Sequence, residues 1–248
     1  MIRILLTNDD GIDAPGLKAL ENVFSQINDV ECWTVAPDSQ RSACSHSMSL
    51  GKPVSVEQQG PRRFAHSGVV ADGVYWAIVH LMVENKPKLV ISGINQGANL
   101  AEDVIYSGTV AGAREAVLRK VHGLAVSLVE GIDFSFAASN VARLAVQIAK
   151  GAGDTPLFLN CNYPAGAFVG PHICRLGNRP YKPLVRPLSE EGKNAYLLGG
   201  PPVNRVEHPA GTDMALIERG VASITPLRID QTDDAILKRN ELSFLSER

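Results

Sequence analysis

The feature that most constrains the fold is an alternation of short apolar runs with amphipathic segments over the first two-thirds of the chain. The apolar runs predict strands at Ile2–Leu6, Glu31–Ala36, Lys88–Ser92, Leu124–Val129 and Leu157–Asn160. The segments between them predict helices at Pro15–Ile27, Ala71–Val83, Thr109–Arg119 and Ala137–Lys150. Strands that alternate with helices form a mostly parallel sheet with helices on both faces. We therefore predict an α/β fold.

The pattern changes after about residue 165. The following stretch, to about residue 220, is rich in Pro, Gly and short β-like runs such as Ile173–Pro183 and Ala195–Val203, and Asp230–Asn240 predicts a final helix. We interpret residues 1–248 as a single domain with an α/β core to about 164, followed by hairpins, an arm and the final helix. Few helices are left to cover these hairpins, and an uncovered hairpin tends to pair with another surface. We expect a homo-oligomer, the alternative being that the hairpins fold back onto their own core.

Composition excludes several classes of function. Apolar residues make up 45% of the 248 residues, enough for a substantial core, and the net charge of −2 gives no signature of binding to nucleic-acid polymers. No apolar stretch is long enough to span a bilayer, and the chain begins without the pattern of a signal peptide. The cysteines are scattered, which favours reduced thiols in a cytoplasmic protein.

The first candidate for chemistry is the adjacent pair Asp9 and Asp10, directly after the first predicted strand. In open parallel sheets, ligands bind at the carboxyl ends of the strands. Two neighbouring carboxylates repel each other unless a proton or a cation neutralises them, and Mg²⁺ or Mn²⁺ takes oxygen ligands. The alternative is a solvated turn in which Asp starts a helix.

Two further loops should lie at the same edge of the sheet. The loop after the second strand contains several hydroxyl groups, including Ser42, which could join a cation site or bind phosphate. In the loop after Lys88–Ser92, the amide oxygen of Asn95 could complete the coordination of a cation, and Asn99 offers donors to a phosphoryl oxygen. The alternatives are a Ser-rich turn and an ordinary Asn-Gly turn.

A third loop enters the helix predicted at Thr109–Arg119. Small residues at a helix N-terminus expose backbone N–H groups that bind anions, and Ser107 and Thr109 add hydroxyl donors. The alternative is a simple Ser/Thr helix cap. His46 lies near the Ser42 loop and could touch a substrate, but we expect it to be a surface histidine.

Known motifs for other reactions are absent from the sequence. It contains no P-loop, no Gly-x-Gly-x-x-Gly after the first strand, no Gly-x-Ser-x-Gly elbow and no histidine spacing of a metalloprotease. These absences argue against a P-loop NTPase, a dinucleotide-binding enzyme and an esterase.

Five segments, taken in order, resemble the SurE family of stationary-phase survival proteins. They are TNDDGIDAPG at 7–16, APD with RS at 36–38 and 41–42, SGINQGAN at 92–99, DVIYSGTVA at 103–111, and the C-terminal pair GTD at 211–213 and SITPL at 223–227. Each segment alone is a weak signal, but their order and their spread over nearly the whole chain make the resemblance specific.

The resemblance implies a Rossmann-like core with a C-terminal β-hairpin and a swapped arm, assembled as homodimers or homotetramers. It also implies a metal-dependent phosphomonoesterase, a 5′-nucleotidase that hydrolyses nucleoside 5′- and 3′-monophosphates and sometimes short polyphosphates, with one Mg²⁺ or Mn²⁺ per subunit. Carried over by position, the metal ligands are Asp9, Asp10, Ser42 and Asn95. The phosphate contacts are Asn99, Ser107, Gly108 and Thr109.

Two questions stay open after this comparison. The nucleophile is a metal-activated water, with Asp9 positioning it or taking its proton, or the Asp9 carboxylate itself. The rival function is a non-catalytic nucleotide or phosphate sensor; a glycosyltransferase is disfavoured because Asp-x-Asp spacing is absent. Many family members have Gly-Thr-Pro-Ala-Asp where this chain has GVVAD at 68–72, Gly where it has Ala43, and Asn where it has His46. These departures leave the preferred nucleotide open.

Overall fold

The computed structural model describes residues 1–190, 193–203 and 206–239. Its strands within these residues are β1 (Ile2–Thr7), β2 (Val30–Pro37), β3 (Val56–Gly60), β4 (Arg63–His66), β5 (Leu89–Gln96), β6 (His122–Leu128), β7 (Phe158–Tyr163), β8 (Val169–Ile173), β9 (Leu184–Glu190), β10 (Lys193–Gly199) and β11 (Val221–Pro226). Its helices are α1 (Pro15–Phe24), α2 (Val70–Trp76), α3 (Asp103–Tyr106), α4 (Gly108–Leu118), α5 (Ser135–Gly151), α6 (Asp213–Glu218) and α7 (Asp234–Arg239).

Nine strands form one sheet in the order β3-β4-β2-β1-β5-β6-β7-β11-β8. The strands from β4 to β7 are parallel to one another, whereas β3 and β11 are antiparallel to their neighbours β4 and β7. The sheet carries helices on both sides, which confirms the predicted α/β fold. β9 and β10 form a separate antiparallel hairpin.

The core lies on both faces of the sheet because side chains alternate along each strand. On β1, Ile4 and Leu6 pack with residues of α1 and α5, whereas Leu5 packs on the other face with residues of α2 and α4. All three side chains are fully buried. This double burial explains why the parallel strands are continuous apolar runs in the sequence.

Several element boundaries differ from the predictions. The first helix ends at Phe24 rather than Ile27, and the second ends at Trp76, after which Ala77–Leu81 forms a π-helical turn. The final helix begins at Asp234 rather than at the predicted Asp230, and the predicted end at Asn240 lies outside the described residues. Within the described residues, no helix is long and apolar enough to cross a membrane.

The structure adds elements that the sequence pattern did not indicate, namely β3, β4, α3 and α6. The β3 segment consists mainly of polar, exposed residues because it is the edge strand, so it lacks an apolar run. The region after 165 was predicted as hairpins or an arm. β9 and β10 form such a hairpin, but β8 and β11 instead extend the main sheet beyond β7.

Candidate active site

The turn after β1 presents two carboxylates at the carboxyl end of the parallel strands. The buried side chain of Asn8 locks this turn: its amide nitrogen donates to the Gly11 carbonyl at 2.9 Å, and its oxygen accepts from the Gly11 N–H at 3.2 Å. Gly11 has a φ of +108°, which favours glycine. Asp9 and Asp10 are therefore held in a fixed turn rather than in a mobile loop.

Asp9 is almost completely buried, with 4% of its surface exposed. The Thr109 hydroxyl donates to Asp9 Oδ1 at 2.5 Å. A Cβ atom on Gly108 would lie 2.6 Å from Asp9 Oδ2, so the start of α4 approaches the carboxylate closely only because residue 108 is glycine. Burial raises the pKa of Asp9 to about 6, and repulsion from Asp10 adds to the shift while the Thr109 hydrogen bond opposes it.

Asp10 is less buried than its neighbour. Burial raises the pKa of Asp10 above its ordinary value, and hydrogen bonds from the Gln96 backbone and the Gln40 side chain oppose the shift. Burial and mutual repulsion both make two negative charges unfavourable here, and a bound cation would offset that cost.

The loop after β2 reaches the carboxylates through its backbone. The Arg41 N–H donates to the Asp9 carbonyl at 2.7 Å, which places the exposed residue Ser42 beside the pair. The Ser42 hydroxyl accepts a hydrogen bond from the Gln40 amide at 3.0 Å. Farther along, the Ser45 hydroxyl donates to the Ile105 carbonyl at 2.7 Å and so ties the loop to α3.

Asn95 is brought to the site by an irregularity in β5, whose register against β6 shifts between Ser92 and Asn95. Gly93 lies in this irregularity, and a Cβ atom there would clash with the Val126 carbonyl. The Asn95 amide nitrogen donates to the Gly97 carbonyl at 2.9 Å. This hydrogen bond orients the side chain so that its oxygen is the group left for a ligand.

Asn99 is fixed by a buried polar network. Its amide nitrogen donates to the Ser127 hydroxyl at 2.7 Å, and its backbone N–H donates to Asn162 Oδ1 at 2.9 Å. Its carbonyl accepts from the side chains of Asn160 and Asn162 at 2.8 and 3.0 Å. Ser127, Asn160 and Asn162 were not predicted as site residues; the polar residues inside the apolar runs of β6 and β7 were the available signal.

The start of α4 combines two roles. The Ser107 hydroxyl accepts a hydrogen bond from the Val110 N–H at 3.0 Å, so Ser107 is the N-cap, as the alternative interpretation held. Its hydroxyl hydrogen is still free to be donated to a ligand. Thr109 is 1% exposed, and its hydroxyl is committed to Asp9. A phosphate contact through that hydroxyl therefore requires Asp9 to release it.

These elements enclose a cavity of about 340 Å³, which we call the carboxylate cleft. Six of the eight predicted site residues line it, namely Asp9, Asp10, Ser42, Asn95, Asn99 and Ser107. Gly108 and Thr109 contact Asp9 from behind. The sequence analysis did not anticipate the lining residues Gln40, Asp103 and Tyr106.

Asp103 connects the carboxylate cleft to the C-terminal region. The Arg179 guanidinium lies 2.6 Å from Asp103 Oδ2, and the Tyr181 hydroxyl donates to Oδ1 at 2.8 Å. The Arg179 N–H also donates to the Glu102 carboxylate at 2.6 Å. The segment before β9 thus forms part of the cleft's outer support, which neither residue type nor spacing revealed.

His46 is not the surface histidine that we expected. Its Nε2 lies 3.0 Å from Oε2 of Glu115, whose side chain is 1% exposed. A buried carboxylate needs a partner, and this pairing draws the Ser42 loop towards α4.

The donor set fits a hard divalent cation. The four predicted ligands supply two carboxylates, one amide oxygen and one hydroxyl, and oxygen ligands of this kind suit Mg²⁺ and Mn²⁺. Across the residues that the structure describes, no group of three or more His, Cys, Asp or Glu side chains could hold a metal ion. A cation in the carboxylate cleft would therefore take half of its protein ligands from neutral oxygens.

The fold and the cleft together define an α/β protein with a polar, acidic site at the carboxyl edge of its parallel strands. The profile of the family described as "Survival protein SurE" matches residues 4–183. The chain belongs to the SurE family.

Solved and curated relatives match over nearly the full length. The crystal structure of the SurE protein from Aquifex aeolicus superimposes with a TM-score of 0.85 at 30% identity, covering 99% of this chain and 100% of that one. A 5′-nucleotidase SurE from Anaeromyxobacter sp. (strain Fw109-5) is 41% identical over 96% of this chain and 94% of its own. A 5′-nucleotidase SurE from Methylorubrum extorquens (strain PA1) is 36% identical over 98% and 99%.

Proposed function

We propose that this protein is a metal-dependent 5′-nucleotidase that hydrolyses nucleoside 5′- and 3′-monophosphates to nucleoside and phosphate. The observation that carries the proposal is the convergence of Asp9, Asp10 and Asn95 with the capped start of α4 in one cleft. The curated relatives named 5′-nucleotidase support the same reaction.

The proposed metal ligands are Asp9, Asp10, Ser42 and Asn95, which would hold one Mg²⁺ or Mn²⁺. When bound, the cation neutralises charge on the phosphoryl oxygens. The chain's own contribution is positioning: the Ser107 hydroxyl and the Asn99 amide offer donors to the phosphate from the rear of the carboxylate cleft. Gly108 and Thr109 hold Asp9 against α4, and they contribute to phosphate binding through the backbone of the helix start.

For the hydrolytic step we favour attack by water, with Asp9 positioning it and accepting its proton. Asp9 Oδ1 accepts from Thr109 and Oδ2 lies against Gly108, so the carboxylate is held in one orientation for this role. The rival is direct attack of Asp9 on phosphorus to give an aspartyl-phosphate. Acid quenching with phosphorus-labelled substrate separates the two, since a labelled, alkali-labile protein adduct would show direct attack.

The test of the function is turnover by the purified protein with Mg²⁺ or Mn²⁺. AMP, 3′-AMP, p-nitrophenyl phosphate and tripolyphosphate should be compared, because they separate 5′-, 3′-, general and polyphosphate hydrolysis. Release of phosphate from AMP supports the proposal. Tight binding of AMP without turnover under any of these metals would favour the nucleotide or phosphate sensor instead.

We also propose that the protein acts as a homodimer or homotetramer in the cytoplasm. Apolar side chains on the β9–β10 hairpin are exposed, including Val185 at 64% and Leu198 at 73%, and such a hairpin is marginal without a partner surface. The four cysteines are free thiols, which fits a reducing compartment. Light scattering after size exclusion tests the assembly, and a monomer mass at micromolar concentration would contradict it.

A further inference from the structure

The C-terminal motif GTD at 211–213 places a carboxylate in the interior of the protein. The side chain of Asp213 is completely buried, and within the described part of the chain no cationic side chain pairs with it. Asp213 is not one of the residues that line the carboxylate cleft. Because a buried charge is costly unless it is hydrogen-bonded, this residue needs an explanation that the proposed chemistry has not supplied.

Backbone N–H groups from three segments satisfy this carboxylate. Its Oδ1 accepts from the Gly177 N–H at 2.7 Å and from the Met214 N–H at 2.8 Å, and its Oδ2 accepts from the Ala101 N–H at 2.9 Å. Hydrogen bonds to an ionised acceptor are stronger than those between neutral groups. The bond to Ala101 joins the start of α6 to the loop after β5, across 112 residues of sequence.

Ala101 has a backbone conformation that needs such support. Its φ is +50°, in the left-handed region, and the residue is 1% exposed, so water has little access to its N–H. A residue other than glycine occupies this region roughly five- to thirtyfold less than the right-handed region. The hydrogen bond from Asp213 fixes the peptide plane before the Ala101 Cα atom and so offsets this preference.

The conformation at Ala101 sets the shape of a segment that carries two proposed phosphate contacts. Asn99 and Ser107 are the two ends of residues 99–107. Between them, the Asp103 N–H donates to the Leu100 carbonyl at 3.0 Å, and the Ser107 N–H donates to the Asp103 carbonyl at 3.1 Å. Because these turns are closed by hydrogen bonds, a backbone change at Ala101 would move Ser107 relative to Asn99.

We propose that Asp213 is a positioning residue for phosphate binding, which holds Ala101 in the left-handed region and thereby keeps Asn99 and Ser107 at the spacing that a phosphate needs. The inference rests on the proposed function only in requiring that the carboxylate cleft binds phosphate. Without the hydrogen bond, the fraction of molecules with this spacing should fall by up to the preference of Ala101, roughly five- to thirtyfold, and the Kd for phosphate should rise by the same factor.

Asp213→Asn tests the single contact that matters. The amide oxygen can keep both bonds to Gly177 and Met214, but the amide nitrogen then faces the Ala101 N–H, so that bond is lost. Calorimetric titration with inorganic phosphate in Mg²⁺ should show the Kd rise by roughly five- to thirtyfold. In an Ala101→Gly background the same substitution should raise the Kd by less than about threefold, because glycine occupies the left-handed region readily.

Asp72→Asn is the matched control. Asp72 is also buried and accepts from the Ser49 N–H and the Val69 N–H, each at 2.9 Å, but it does not line the cleft. This variant should lose stability in urea unfolding and keep the phosphate affinity of wild type. If circular dichroism shows that Asp213→Asn is unfolded, Gly177→Ala replaces it. Its Cβ atom would lie 3.0 Å from Asp213 Oδ1 and displace the same carboxylate, so the Kd should rise at least about threefold.

The proposal is overturned by a folded Asp213→Asn protein, or by Gly177→Ala in its place, that binds phosphate within about twofold of wild type. An equal loss in the Ala101→Gly background, or no phosphate binding by wild type, would also overturn it. Turnover of AMP is measured separately. Phosphate binding without turnover contradicts the proposed nucleotidase activity, and the variants still decide the role of Asp213.

Discussion

The carboxylate cleft and the cavity beside β4 and α2, which is lined in part by His66, each contain a buried ionisable side chain, but only the one in the cleft keeps its charge at neutral pH. Burial raises the pKa of Asp9 to about 6 and lowers that of His66 to about 4, so in both places the neutral form is favoured. At neutral pH His66 has lost its charge, whereas Asp9 has not and stands beside a second carboxylate.

The two places therefore differ in whether a charge remains at neutral pH. A cleft that retains unfavourable negative charge gains stability from a cation, and a bound cation can act on a phosphoryl group. The His66 side chain is neutral at pH 7 and therefore does not attract a counter-ion. Five predictions test this comparison, four at the carboxylate cleft and one at His66.

The largest effect is expected on removal of metal. Chelation with EDTA should abolish phosphatase activity, and Mg²⁺ or Mn²⁺ should restore it, because all proposed ligands are oxygen atoms. Activity assays after exhaustive dialysis check this. Full activity in EDTA would rule out the mechanism, and reactivation by zinc alone would point to different ligands.

Asp9→Asn and Asp10→Asn should each lower kcat by roughly a hundred- to a thousandfold or more, because each removes a charge from the cation site. Steady-state kinetics in saturating Mn²⁺ measure the loss. Asp29→Asn, which changes an exposed carboxylate just before β2, is the matched control. Near-normal kcat in both cleft variants would mean that the pair is only a structural turn.

In metal-free protein, the free energy of unfolding should depend on pH because Asp9 is buried. Its pKa is raised in the folded state from 3.8 to about 6, so the native protein holds a proton that the unfolded chain releases, and stability falls as pH rises through this window. Asp9→Asn should therefore gain up to about 3 kcal/mol above pH 6 and little below pH 4. Urea unfolding in EDTA at several pH values measures this.

His66 should change the free energy of unfolding in the opposite direction between pH 4 and 6.5. Its pKa is lowered in the folded state, so the unfolded chain takes up the proton first as the pH falls. Wild-type stability from this residue is lost as pH falls. His66→Phe should remove that loss. If Asp9→Asn and His66→Phe change the pH dependence in the same direction, the contrast between the two cavities is wrong.

The smallest effect is expected at Ser107. Ser107→Ala removes one hydrogen bond to a charged phosphate, worth about 1.5–3 kcal/mol, so kcat/KM should fall roughly ten- to a hundredfold and phosphate inhibition should weaken. The lost cap costs a further ~1 kcal/mol of stability, which thermal unfolding records separately. Ser107→Thr keeps the hydroxyl and should rescue both. Lost stability with unchanged kinetics would show that Ser107 is only a cap.

Much of the candidate site could be predicted from the amino-acid sequence. Asp9 and Asp10 come just after β1 and Asn95 lies near the end of β5, and parallel strands bring their carboxyl ends to one edge. The cleft residues Gln40, Asp103 and Tyr106 lie in loops or a short helix. In such segments no periodicity of the sequence indicates which way a side chain points. For the same reason the contact between Arg179 and Asp103, 76 residues apart, could not be predicted.

The sequence by itself determined the alternation of strands and helices, and with it the parallel sheet and the edge on which the carboxylates lie, because the periodicity of apolar residues is a local property of the chain. Only the tertiary structure decided that Thr109 binds Asp9, that β11 and β8 extend the sheet, and that the His66 ring packs against Gly73. These outcomes depend on which distant side chains share a space, and burial then sets their pKa values and hydrogen bonds.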